Sequence, residues 1–260
     1  MVFAELPTLQ GENRWLGYHV AFENKKCSLG MTTKGAMVLR PLGKGGKSLA
    51  SKLFVGIDCL LIETMPDGKE VMLKQIVSSM ESEGGATRDP QDLIFRGKVK
   101  GGATFELNLD EDRGKIFLGG RVVDTGSSKN PLRFAIRLTL PNAYPSEKKG
   151  FDKEHQRAFE KKTEDDHLLL DGLNGKRGKL ATTDPIDAAS IDVNVREIRS
   201  AQLEFSSWKE RKLKAVATES SALTLELADG MPLWKGFSLV WSATPTQDPQ
   251  GKARLEIEMR

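Results

Sequence analysis

Histidine and cysteine are scarce in this chain, at three and two residues among 260. The histidines, His19, His155 and His167, show neither an H-E-x-x-H pattern nor any paired spacing, which speaks against a zinc hydrolase. Cys27 and Cys59 do not form a C-x-x-C pair, so dithiol and metal chemistry are disfavoured as well. Cys59 sits in the apolar stretch "FVGIDCLLIET", where a buried thiol behaves as a small hydrophobe. Two unpaired thiols are therefore expected rather than a bridge. Long apolar runs are also lacking: none approaches the roughly 18–20 residues that cross a bilayer, so no membrane span is expected. Neither sign of charge predominates, with 39 basic and 36 acidic residues leaving a net +3. That balance gives no general electrostatic reason to bind nucleic acid. No G-x-S-x-G nucleophile motif occurs, and neither cysteine stands in catalytic surroundings. The start, "MVFAELPTLQGENRW", has no basic n-region and no apolar h-region. The chain is read either as cytoplasmic or as an exported protein whose leader has been removed. Its turn-rich β pattern favours a periplasmic or secreted setting.

What the sequence does have is alternation. In "ATFELNLD", Ala103, Phe105, Leu107 and Leu109 share one side and Thr104, Glu106, Asn108 and Asp110 the other. "LRFAIRLTL" repeats the pattern, with Leu132, Phe134, Ile136, Leu138 and Leu140 against Arg133, Ala135, Arg137 and Thr139. "SIDVNVR", "ALTLELA", "GFSLVWSA" and "ARLEIEMR" read as further strands, each with one face on a core and one in solvent. Turn chemistry separates the strands: Pro66-Asp67-Gly68, Glu111 to Gly114, the region around Trp208, and Asp229-Gly230. Many short strands without alternating long helices predict an all-β antiparallel sandwich, either two lobes or one extended sandwich. One segment departs from this rule. "FDKEHQRAFEKKTEDD" carries Phe151, His155, Ala158 and Phe159 at helical spacing and predicts a single linker helix near 151–164. The resulting division is an N-terminal lobe over 1–144, a linker with helix over 145–166 and a C-terminal lobe over 167–260. The two halves echo each other only loosely, so an internal duplication is not assigned.

Two stretches resemble ligand motifs and fail on inspection. "VLRPLGKGGKSLASKLF" supplies Gly46, Lys47 and Ser48 of a phosphate loop, but Pro41 stands where the first glycine belongs. It reads as a basic connector between strands, in which Arg40, Lys44, Lys47 and Lys52 form a patch for an anion. "NLDEDRG" spaces Asn108, Asp110 and Asp112 like a calcium loop, yet Arg113 and Gly119 occupy the places that need Gly and Glu. A hairpin turn explains that stretch, and no metal site is expected. The acidic "EDDH" of Glu164 to His167 reads as solvated surface.

The candidate ligand-binding residues come from charged and aromatic side chains on the strands. If "ATFELNLD" and "LRFAIRLTL" lie in one sheet, Glu106 and Asn108 share an outer face with Arg133 and Arg137, joined by Arg121 of "GGRVV". Cross-strand ion pairs on such a face are a default of sheet surfaces, and a sheet so lined also suits a polysaccharide. Trp208, at the tip of "SSWKERK", is expected to be exposed. Trp15 and His19 share a strand face in "RWLGYHVAF", more suited to packing than to sugar stacking. These residues favour a non-enzymatic binding module for carbohydrate or another polar polymer, with no cofactor and a glycan as partner. The alternatives are a lyase or hydrolase on the same scaffold, using Tyr18, His19, Arg133 or Arg137, and a structural or assembly protein.

Overall fold

A computed structural model of the chain describes residues 6–11, 13–49, 54–76, 78, 80–140, 153–187, 191–218, 220–227, 230–243, 246 and 248–260. Among these residues the first half forms β1 (Tyr18–Glu23), β2 (Cys27–Thr32), β3 (Met37–Pro41), β4 (Val55–Thr64), β5 (Glu70–Lys74), β6 (Glu81–Ser82), β7 (Leu93–Lys98), β8 (Thr104–Asp112), β9 (Lys115–Asp124) and β10 (Leu132–Leu140). One helix, α1 (Lys153–Lys162), leads into β11 (His167–Gly172), β12 (Arg177–Ala181), β13 (Ile198–Glu204), β14 (Lys212–Ala217), β15 (Ser221–Leu227), β16 (Phe237–Ala243) and β17 (Leu255–Met259). The predicted all-β, antiparallel class with a helix after residue 150 is what the chain adopts.

The strands join into one sheet. Its neighbours form two runs. One runs β6, β7, β8, β9, β17, β14, β13, β11, β12. The other runs β1, β2, β3, β4, β10, β16, β15, with β5 following β3 along the same edge of β4. Ile198 with Leu223 connects the two, as do the isolated bridges Gln75 with Val99 and Val20 with Thr87. The sheet curls so that the runs meet: the rings of Phe105 on β8 and Phe134 on β10 lie 5.3 Å apart. Strands from before and after α1 are neighbours in both runs, β10 with β16 and β17 with β9.

Alternation fixes which side chains fill the interior. Leu132, Phe134, Ile136, Leu138 and Leu140 are all buried, as are Phe105, Leu107 and Leu109 on β8. Removing each such side chain from water contributes about 1.5–3 kcal/mol. Cys27 and Cys59 are both unpaired and buried, as expected. Burial pushes the Cys27 thiol up to about 12, so it stays protonated at neutral pH.

The turns follow their chemistry. At Pro66-Asp67-Gly68, Gly68 takes a φ of 80° and Asp67 accepts a hydrogen bond from the Lys69 amide. Between β8 and β9 the two central residues, Arg113 and Gly114, have φ of 52° and 84°, the left-handed pair a two-residue hairpin demands. Asp110 and Asp112 are thereby strand residues rather than loop ligands.

Two expectations need correction. Within "SIDVNVR", the described residues 191–196 form no strand: they bend and turn into β13, although Val193 is fully buried and Ile191 and Val195 pack on the core. The apolar spacing reported burial correctly, but Asn194 closes a turn by accepting from the Arg196 amide. Trp208 is wholly buried, with its ring edge-on to Phe205 at 4.7 Å. The turn it marks is real, but the indole caps the core beneath that turn. Gly46-Lys47-Ser48 is, as expected, part of a connector: it lies between the antiparallel neighbours β3 and β4, and Lys47 is extended (φ −78°, ψ 134°) where a phosphate loop would open a helix. Lys52, Phe151 and Asp229 lie outside the described residues, as does the side chain of His155.

Candidate functional site

The residues expected to form one charged face lie on two. β8 and β10 are not neighbours; they meet through their inward phenylalanines, so their polar positions point away from each other. On the β8 side, Glu106 sits between Arg96 and Arg121. One carboxylate oxygen accepts from Arg121 Nε at 2.8 Å and the other from Arg96 at 3.2 Å. Burial pushes the Glu106 carboxyl up, but the two guanidinium groups outweigh it and hold the acid below its ordinary value. Arg121 and Arg96 are more than half exposed, so this network adds little stability.

Arg133 and Arg137 occupy the opposite outer surface. Arg133 makes a two-pronged pair with Glu70 of β5, at 2.7 and 2.8 Å. These bonds hold the Glu70 carboxyl below the usual range. Arg137 donates to Asp58 of β4 at 3.1 Å, and its buried Nε has no hydrogen-bond partner among the described residues. Beneath the arginines lies a thin apolar layer of Leu60, Ile62, Ala135 and Val240, with Met72 against it. The register brings β15 into this surface, because Thr139 pairs with Ser238 and Ser238 with Glu226.

An open cleft of about 1110 Å³ lies over this face, bounded by Glu70, Arg133, Thr224, Glu226, Arg196 and Arg199 among others. Glu226 occupies the polar position between the inward Leu225 and Leu227. Burial raises its carboxyl above the ordinary value, and the Glu70 charge acts in the same direction. The charges of Arg137 and Arg133 oppose this without cancelling it. The cleft thus holds an acid whose carboxyl lies above its ordinary value, beside a fixed Arg133–Glu70 pair.

The remaining residues singled out from sequence lie elsewhere. Trp15 is buried, edge-on to Tyr18 at 6.1 Å, with the Arg14 guanidinium 5.0 Å from its ring centre. His19 is also buried; its Nδ1 donates to the Pro7 carbonyl at 2.7 Å and its ring meets Phe95. Neither lines the cleft. All four tryptophans, Trp15, Trp208, Trp234 and Trp241, are buried, so the surface offers no indole platform. Of the residues singled out from sequence, Arg133 lines the cleft and Arg137 does not; Glu70, Glu226, Arg196 and Arg199 line it and were not singled out. Glu226 was visible only as one polar position in "ALTLELA", and Glu70 as a charge after a turn.

No family model and no curated protein matches the chain. Among solved structures it is similar to an alpha-N-acetylgalactosaminidase from Bifidobacterium bifidum, in its GalNAc complex, at 10% identity and a TM-score of 0.56. That match covers 92% of this chain and 35% of the enzyme, so the chain spans about a third of the enzyme's length. The same enzyme in complex with Gal-NHAc-DNJ gives a TM-score of 0.55. The Slr1438 protein from Synechocystis sp. PCC 6803 matches over 100% of this chain and 99% of its own, at 13% identity and a TM-score of 0.49. At these identities the likeness to the Bifidobacterium enzyme is one of fold.

Proposed function

We propose that this chain is a saccharide-binding β module whose ligand occupies the cleft over β10 and β15. The observation that carries the reading is the cleft's lining: hydroxyl and carboxyl groups of Thr224 and Glu226 stand beside a guanidinium already fixed by Glu70. Sugar hydroxyls both donate and accept, and a wall of oriented charged groups serves them without reorganising. Leu173, 40% exposed in the same lining, offers an apolar surface to a sugar ring. The fold shared with part of an enzyme seen with GalNAc supports the same class of ligand. Calorimetric titration with a panel of oligosaccharides tests it. Binding that weakens at least about tenfold in Arg133→Gln is expected, and absence of binding across the panel refutes the reading.

A second reading, a carbohydrate-active enzyme, is favoured by one observation. Burial raises the Glu226 carboxyl above its ordinary value, the direction in which an acid that protonates a glycosidic oxygen is shifted. Release of new reducing ends from an oligosaccharide, lost in Glu226→Gln, is its test. Tyr18 and His19 do not line this cleft, so Glu226 replaces them as the residue to alter.

A further inference from the structure

We infer that the ligand of this cleft is an acidic saccharide, its anionic group received between Arg196 and Arg199. The inference rests on the saccharide reading and goes beyond it by naming the ligand's charge.

The cleft lining carries four cations, Lys69, Arg133, Arg196 and Arg199, and four acids, Glu70, Asp187, Glu197 and Glu226. Equal numbers conceal an unequal pairing. Arg133 is engaged by Glu70 through two bonds, and Lys69 by Asp67 at 2.9 Å. Glu197 accepts a bond from Asn194 at 2.9 Å. Arg196 and Arg199 differ. Both are exposed, and among the described residues neither guanidinium makes a hydrogen bond or ion pair. Glu226 borders the same cleft and, among the described residues, forms no salt bridge with either arginine.

The backbone that carries these arginines is held firmly. The Asn194 side chain accepts from the Arg196 amide, and the Glu197 amide donates to the Asn194 carbonyl. From the neighbouring strand, Leu225 donates to the Val195 carbonyl at 2.7 Å and Thr224 to the Arg196 carbonyl at 3.4 Å. Ile198 then pairs with Leu223. The turn is thus fastened to β15, the strand that supplies Glu226 and Thr224. Arg196 on this turn and Arg199 at the start of β13 both border the cleft, and two such guanidinium groups suit a planar carboxylate or a tetrahedral ester. Arg196 also lies near enough to Glu70 for its charge to lower that acid. The anion site is therefore continuous with the Arg133–Glu70 wall.

Three probes separate the sources of charge: trigalacturonate, its fully methyl-esterified form, and galactose 6-phosphate beside galactose. Binding to the full chain is read by calorimetry at low and moderate salt. Trigalacturonate is expected to bind at least about tenfold tighter than the ester. Arg196→Gln and Arg199→Gln should each remove most of that preference, with the thermal midpoint unchanged. Preference for galactose 6-phosphate over galactose, lost in the same variants, identifies a phosphate ester as the anion and equally supports the inference. Equal binding of acid and ester with no preference for the phosphate, or a preference that survives both substitutions, overturns it while leaving saccharide binding intact. Failure of every probe to bind removes the saccharide reading, and this inference with it.

Discussion

Gly120→Ala tests the contact that closes the curled sheet. A methyl group at this position would lie 2.1 Å from the Glu106 carbonyl oxygen and 2.5 Å from the Phe134 ring. The first distance falls more than about 1 Å short of ordinary contact. The nearer obstacle is main chain, in the strand that pairs Leu107 with Gly120. It cannot swing away as a side chain does. Relief requires β8 and β9 to part locally, weakening one or two ladder hydrogen bonds at about 1 kcal/mol each. Overpacking against Phe134 adds about 1–3 kcal/mol. The expected loss is about 2–5 kcal/mol, or about 4–20 °C in thermal midpoint for a chain of this size. Gly85→Ala is the control, since a methyl group there meets nothing within 4 Å. Urea unfolding followed by tryptophan fluorescence and circular dichroism measures both. A loss below about 0.5 kcal/mol for Gly120→Ala, or equal losses for both variants, refutes the reasoning.

Trp208→Ala empties a fully buried site and should lower stability by about 3–5 kcal/mol in the same assay; a loss under 1 kcal/mol would place the indole outside the core. Arg113→Asn relieves a left-handed backbone at the β8–β9 turn and should raise stability by about 0.3–1 kcal/mol. No gain on differential scanning calorimetry counts against the turn assignment. Glu226 has a folded-state acidity weaker than its unfolded value, so its ionisation disfavours the fold. Relative to Glu226→Gln, the wild type should therefore be most stable below about pH 4.5 and lose ground as pH rises through the folded pKa. A difference that stays flat from pH 4 to 8 contradicts this.

Much of the fold was legible because period-two alternation reports burial directly. "LRFAIRLTL" and "ARLEIEMR" became β10 and β17, since one face of each meets the interior. "SIDVNVR" has the same alternation and is a turn, because Asn194 supplies the local bonds that a strand partner would otherwise make. Trp208 misled for a related reason: polar neighbours along the chain say nothing of what lies beneath a turn. The candidate site was only half legible. Arg133 and Arg137 stand out as charges on a strand, whereas Glu70, Glu226 and Arg196 come together through β5, β15 and the turn before β13. Their association depends on strand order, and strand order is set by long-range pairing that no single segment encodes.

The insertion of β17 between β9 and β14 has a kinetic consequence. Leu255 pairs with Leu118, so this strand finds its place only after the chain closes a very long loop. Until it does, β9 and β14 each present an unsatisfied edge, the geometry that invites strands from other molecules. Folding should accordingly be slow, with aggregation competing at high concentration until the late strand docks. A peptide spanning Leu255–Met259, added during refolding, should intercept that intermediate by taking the strand's place.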